Sequence, residues 1–126
     1  MGDFKKLAVW SKSHELTVEL YRRTASFPSN EKYEIVSQIR RAASSIGANI
    51  AEGCGRGGDG ELGFFLKVAQ GSASELENHL LLARDLGYVT AADYADIEMR
   101  LREVGRMLAA FGTTIAAAKR AATSRK

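Results

Sequence analysis

Apolar side chains recur along this chain at spacings of three and four, not two, which predicts helices throughout and no strand. The densest example is Ile35, Ile39, Ala42, Ile46 and Ile50, one face of a long helix. Beside it, at the same spacing, run Gln38, Arg41, Ser45, Asn49, Glu52 and Arg56. Ser45 and Asn49 are short, mediocre helix formers that compete for backbone hydrogen bonds. A solvated face usually carries Glu, Lys and Gln instead. The polar stripe is therefore expected to be partly buried and hydrogen-bonded, either to the rest of the protein or to a ligand.

The same periodicity divides the rest of the chain. A first helix is predicted from about Leu7 to Ser26, with Val9, Leu16, Leu20 and Phe27 near one face and Trp10 and Tyr21 beside it. Pro28 ends it, because proline disfavours helical geometry in the residue before it. Ser29 or Asn30 is expected to cap the second helix, which runs to about Cys54. The stretch GCGRGGDG follows, and Gly53, Gly55 and Gly58 fit GxGxxG. A dinucleotide site needs a strand before that pattern; a helix precedes it here, so a C-cap and connector are expected. A third helix from about Glu61 to Leu86 carries a seam of Leu62, Phe65, Ala69, Ala73, Leu76, Leu80 and Ala83. Phe64, Leu66, Leu81 and Leu82 lie outside that seam. Gly71, mid-helix, is expected to be offset by close approach of another backbone, and Gly87 to form a left-handed cap. Thr90 and Asp93 resemble a capping box for a fourth helix, whose Ile97, Leu101, Val104, Leu108, Phe111 and Ile115 form the cleanest heptad in the chain. Four long helices with short links predict an all-α, antiparallel up-down-up-down four-helix bundle over residues 1–118. The terminal KRAATSRK has no apolar face, so residues 119–126 are expected to be a disordered basic tail.

Charge changes the picture only at that tail. The net charge is +3, and the last eight residues hold four bases and no acid, leaving the body close to neutral. The high isoelectric point is thus mostly a property of the tail, and is weak evidence for nucleic-acid binding by the body. Cys54 is the single cysteine, so no intrachain disulfide forms, and with no signal peptide a cytoplasmic setting is expected. No apolar run nears the roughly 20 residues needed to span a bilayer, so no membrane partner is expected.

Chemistry is sparse. His14 and His79 fall on different helices without a second ligand pattern, and HExxH and CxxC are missing, so no metal site and no cofactor are expected. Cys54 sits at a helix end that does not favour a thiolate. Glu52 and Glu75 stand among small polar residues; they could pair as catalytic carboxylates, but acceptance of hydrogen bonds across the second–third helix interface is the stronger reading. Adjacent Arg40 and Arg41 point about 100° apart, so one can reach solvent while the other joins the polar stripe. Trp10 and most tyrosines sit in patterns that suit packing, so no aromatic stacking platform is expected. Surplus apolar surface on helices three and four, including Met107, Ala109 and Ala110, points to a partner surface, most simply a second copy.

IRRAASSIGANIAEG (residues 39–53), preceded by Phe27–Pro28, Glu31 and Tyr33 and followed by QGSASELENHL (residues 70–80) and the LGY of Leu86–Tyr88, resembles the four-helix-bundle family encoded in intervening sequences of bacterial large-subunit ribosomal RNA genes. The resemblance runs from about Phe4 to Phe111. A similar family member is the accessory protein of diversity-generating retroelements, which partners a reverse transcriptase and nucleic acid. The resemblance implies a ring-like homopentamer with no established enzymatic activity. The matched residues are Arg40, Arg41, Ser45, Asn49, Glu52, Gly53, Arg56, Gly71, Ser72 and Glu75; Gly47, a weak helix former, departs from the pattern.

The expectation is a non-enzymatic, self-assembling bundle associated with RNA or DNA; the alternative is a protein-interaction scaffold without nucleic acid. Candidate nucleic-acid contacts are Arg40, Arg41, Arg56, Lys119, Arg120, Arg125 and Lys126. Gln38, Ser45, Asn49, Glu52, Ser72 and Glu75 form the polar seam. By resemblance, a reverse transcriptase is a further candidate partner.

Overall fold

The computed structural model describes residues 3–32 and 34–124. Over these it is all-α, with four helices and no strand: α1 (Ala8–Thr24), α2 (Ile35–Arg56), α3 (Asp59–Asp85) and α4 (Ala91–Ser124). Single 3-10 turns, Phe4–Lys6 and Ser29–Glu31, precede α1 and α2. Each helix packs on two neighbours: α2 on α1 and α3, and α4 on α3 and α1. The result is a four-helix bundle. The most extensive shared face is that between α2 and α3.

The core follows the apolar periodicity. Ile35, Ile39, Ala42, Ile46 and Ile50 of α2 are all buried, as are Leu62, Ala69, Ala73, Leu76, Leu80 and Ala83 of α3. From α4 come Ile97, Leu101, Val104, Leu108 and Ile115. Fully burying one such Leu or Ile contributes about 1.5–3 kcal/mol. Leu66, assigned by pattern to the outside of α3, is buried, whereas Phe65 and Phe111 are only half-buried. Two buried hydroxyls of α1 are satisfied inside their own helix: Ser13 donates to the Trp10 carbonyl (2.9 Å) and Thr24 to that of Leu20 (2.7 Å).

Helix ends depart from expectation in instructive ways. The second helix begins at Ile35, and no side chain caps it; Ser29 belongs to the preceding 3-10 turn. Its end lies beyond Gly53: α2 continues to Arg56, and Gly57 takes the left-handed conformation at φ 87°. Only Gly57 and Gly58 then separate α2 from α3. Gly53 is a close-packing position, because a Cβ there would stand 3.0 Å from both Leu62 Cδ1 and Phe65 Cβ. Gly71 is the reverse: a Cβ would meet nothing within 4 Å, so the expected close approach of another backbone is not found within the chain. Gly87 is left-handed at φ 78°, and Tyr88 N–H donates to the Ala83 carbonyl (3.0 Å), closing α3. The Thr90 hydroxyl accepts from Asp93 N–H at 3.1 Å, as the capping pattern predicts.

The basic terminus is a correction. Residues 119–124 continue α4 as helix and are not a disordered segment. Lack of an apolar face predicts lack of packing, but IAAAKRAATS is alanine-rich and extends a helix already nucleated on the core. Tyr33, Arg125 and Lys126 lie outside the described residues.

Candidate functional site

The polar stripe of α2 borders α3; Gln38, Ser45 and Asn49 are partly buried, and Arg41, Glu52 and Arg56 are exposed. Ser45 Oγ and Ser72 Oγ lie 2.8 Å apart, the one side-chain hydrogen bond found between α2 and α3 among the described residues. Asn49 Nδ2 donates back along α2 to the Ser45 carbonyl (2.8 Å) and hydroxyl (3.0 Å). Gln38 accepts from Arg41, one turn away. Toward its C-terminal end the stripe is exposed and its partners are local. Arg56 Nε donates to Glu52 (3.0 Å), and Glu75 lies 3.4 Å from His79 Nε2. The expectation that Glu52 and Glu75 accept bonds across the interface is thus corrected: a side chain one helical turn away on the same helix, Arg56 or His79, is the nearer partner. Ser45 faces Ser72 and Gly53 faces Leu62, a register that leaves Glu52 and Glu75 about ten residues, or ~15 Å, apart along the bundle. The structure does not bring them together as a carboxylate pair.

The basic candidates divide by what already holds them. Arg40 is tied to α1. Its Nε donates to Thr24 Oγ1 and its Nη2 to the Tyr21 carbonyl, each at 3.0 Å, and its guanidinium lies 4.6 Å from the Tyr21 ring centroid. Arg56 faces Glu52, lies 3.9 Å from Glu61 and stands 5.3 Å over Phe65. Arg41, Lys119 and Arg120 are exposed. Lys119 reaches the start of α3, where its Nζ would lie 3.5 Å from a Cβ on Gly60. Lys119 and Arg56 therefore share the end of the bundle that carries the α2–α3 link. Arg41 is fifteen residues, or ~22 Å, from Arg56 along α2. One subunit does not gather these bases into a patch.

Two features escape the sequence pattern, a groove between α3 and α4 and a cluster around Arg23, and the surplus apolar surface expected on the third helix takes a definite place. The outer face of α3 carries Phe64, Val68, Leu82 and Leu86 exposed in a single line, with Gly71, Glu75 and Asn78 between. A groove of about 560 Å³ runs between α3 and α4, where Gly60, Gly63 and Phe64 oppose Ala109, Gly112 and Ala116, with Lys67 and Lys119 at its rim. The alternation of glycine and alanine at three- and four-residue spacing is the signal that could have found it. Arg23 joins the end of α1 to the start of α4, with Glu19 Oε1 at 2.9 Å and Asp96 Oδ2 at 2.5 Å. Its hydrogen bonds are the main reason that both carboxylates sit below their usual range. Nearby, Tyr88 Oη donates to Glu31 (3.0 Å), and Phe27 packs 5.6 Å from the Tyr88 ring. That hydrogen bond leads the causes that raise the Tyr88 hydroxyl above its ordinary pKa. Burial raises the Cys54 thiol, which disfavours the thiolate. Among the described residues, no three His, Cys, Asp or Glu side chains are grouped to hold a metal ion, and no helix is long and apolar enough to cross a membrane.

A model of the 23S rRNA-intervening sequence protein family matches residues 5–110. The fold is similar to the crystal structure of a protein of unknown function from the S23 ribosomal protein family of Bacteroides thetaiotaomicron VPI-5482. The TM-score is 0.77 with 26% identity, over 83% of this chain and 95% of that one. Among curated proteins, none matches.

Proposed function

This chain belongs to the 23S rRNA-intervening sequence protein family, and from that premise we propose that it is a non-enzymatic, self-assembling helical bundle serving as a nucleic-acid-associated accessory protein. The observation that carries the reading is the exposed line of Phe64, Val68, Leu82 and Leu86 on α3. A lone bundle needs one apolar stripe per helix, and this helix adds an exposed apolar pair toward each end of its outer line. The subunit is antiparallel, up-down-up-down; the pairing of Gly47 with Trp10, Gly53 with Leu62 and Gly63 with Ile115 supports that course. Five copies closing as a ring would cover the outer face of α3, with no free edge left to propagate.

Assembly also supplies what one subunit lacks. One subunit offers few of these bases, with Arg41 apart from Arg56, Lys119 and Arg120, but a ring repeats each of them five times. Several weak phosphate contacts tied together raise avidity without any new contact. A reverse transcriptase, as protein partner, would meet the same repeated surface. The protein is not an enzyme in this reading, because Glu52, Glu75 and Asn49 are held by residues of their own helices.

Fluorescence anisotropy with labelled RNA and DNA over a salt series tests the function, using the full chain and a truncation ending at Ala118. Binding should fall steeply with salt, and the truncation should lower the log–log slope. No binding at low salt by the full-length oligomer would leave the scaffold reading in its place.

A further inference from the structure

Trp10, His14, Thr17 and Tyr21 recur at four, three and four residues, so they share one side of α1 over about 16 Å. The Thr17 hydroxyl lies 3.1 Å from the Ala43 carbonyl, which places this side along the edge between α1 and α2. The edge is aromatic and open. Phe4 meets Trp10 edge-on at 5.1 Å, and His14 stacks on the indole at 4.7 Å with only 14° between the planes. His14 is exposed and Tyr21 is 44% exposed. Gly47 seats the indole: a Cβ there would stand 3.3 Å from Trp10 Nε1 and 3.6 Å from Cδ1. This glycine, which costs about 1 kcal/mol against alanine in a helix, thereby leaves room for the indole edge against α2.

Cations flank this row. Lys5 and Lys6 lie exposed in the turn that carries Phe4, and among the described residues neither is in an ion pair. Arg40 covers Tyr21 at the other end. Asp3 sits beside the lysines, and its carboxylate is engaged by Lys5 N–H at 3.0 Å. Two exposed rings, His14 and Tyr21, on an edge with cations at both ends match the chemistry of a flexible strand of bases and phosphates, whose every base offers a π face. A duplex hides those faces in its stack.

We propose that the α1–α2 edge binds single-stranded nucleic acid, with one base stacking on the outer face of His14, another meeting Tyr21 beside the guanidinium that Arg40 holds over it, and the phosphates facing Lys5 and Lys6. This rests on the nucleic-acid reading above and names its site. Nothing in the edge selects the sugar, so RNA and DNA strands bind alike.

The test is anisotropy of the full chain with labelled twelve-residue oligouridylate, oligothymidylate and a duplex of the same length, with emission of Trp10, the sole tryptophan, as a second readout. Both single strands should bind more tightly than the duplex and change Trp10 emission. His14→Ala and Tyr21→Ala, both at exposed positions, should each weaken single-strand binding about tenfold with an unchanged helical spectrum. Lys5→Gln with Lys6→Gln should lower the salt slope by about 1.4. If wild type binds but the ring variants bind equally well and Trp10 emission does not move, this edge is not the site, while the nucleic-acid reading stands. If no oligonucleotide binds at low salt, that reading falls and this proposal with it.

Discussion

The inner and outer faces of α3 carry similar side chains to different ends. Toward α2 and α4 it presents Leu62, Leu66, Leu76 and Leu80, all closed off from solvent; away from them it presents Phe64, Val68, Leu82 and Leu86, open to it. Two glycines repeat the contrast. Gly53 of α2 is pressed against the inner face of α3, and Gly71 stands on the outer face with nothing near it. Hydrophobicity alone does not separate the two faces; what separates them is whether the chain itself supplies a partner. The inner face is explained by folding, and the outer face is left exposed by it, which is what the proposed self-assembly would account for.

The largest effect should separate the two faces directly. Leu76 is fully buried and Leu82 is 49% exposed. Leu76→Ala should destabilise the subunit by about 2–5 kcal/mol in urea unfolding, through lost burial and a cavity. Leu82→Ala should leave the helical spectrum intact and shift sedimentation toward smaller species. A Leu82→Ala chain that unfolds as readily as Leu76→Ala would erase the distinction.

The glycines give the next test. Gly53→Ala must push Leu62 and Phe65 apart and should cost about 1–3 kcal/mol. Gly71→Ala enters open space and should raise the stability of the dilute subunit by up to about 1 kcal/mol, through helix propensity. Thermal melts of both variants check the pair. A lower melting temperature for Gly71→Ala would show that a neighbour is already packed there.

The smallest effect belongs to neither face and serves as a reference. Arg23 holds the carboxyls of Asp96 and Glu19 below their ordinary pKa. A depressed acid contributes stability above its unfolded pKa, and that contribution is lost as pH falls through the folded value. Stability should therefore drop progressively below about pH 4. Arg23→Met should flatten that dependence in denaturant titrations at pH 3 to 6, leaving assembly unchanged.

Much of the fold is legible in the chain. The heptad from Ile97 to Ile115 and the isoleucines of α2 name their buried faces correctly, because spacing alone determines which residues share a side. Phe27 and Glu31, near neighbours in the chain, meet the distant Tyr88 at one end of the bundle. Partners are less legible. Glu52 and Glu75 look destined for the interface until helix register sets Arg56 and His79 one turn away. Arg40 looks like a surface base until α1 supplies Tyr21 and Thr24. Helix ends mislead for a related reason: Gly53 and Gly57 are the same residue type, and only packing against Leu62 tells an interior contact from a cap. Residues 119–124 are helical because alanine propagates a helix, a property that amphipathic pattern does not report.

Native mass spectrometry of the full chain at micromolar concentration, beside a Phe64→Glu, Leu82→Glu double variant, tests most directly whether the outer face of α3 exists for self-assembly. Wild type should appear as a single higher oligomer of five copies, and the double variant as a monomer with the same circular dichroism. A wild-type monomer, or a double variant that still assembles, would contradict the account.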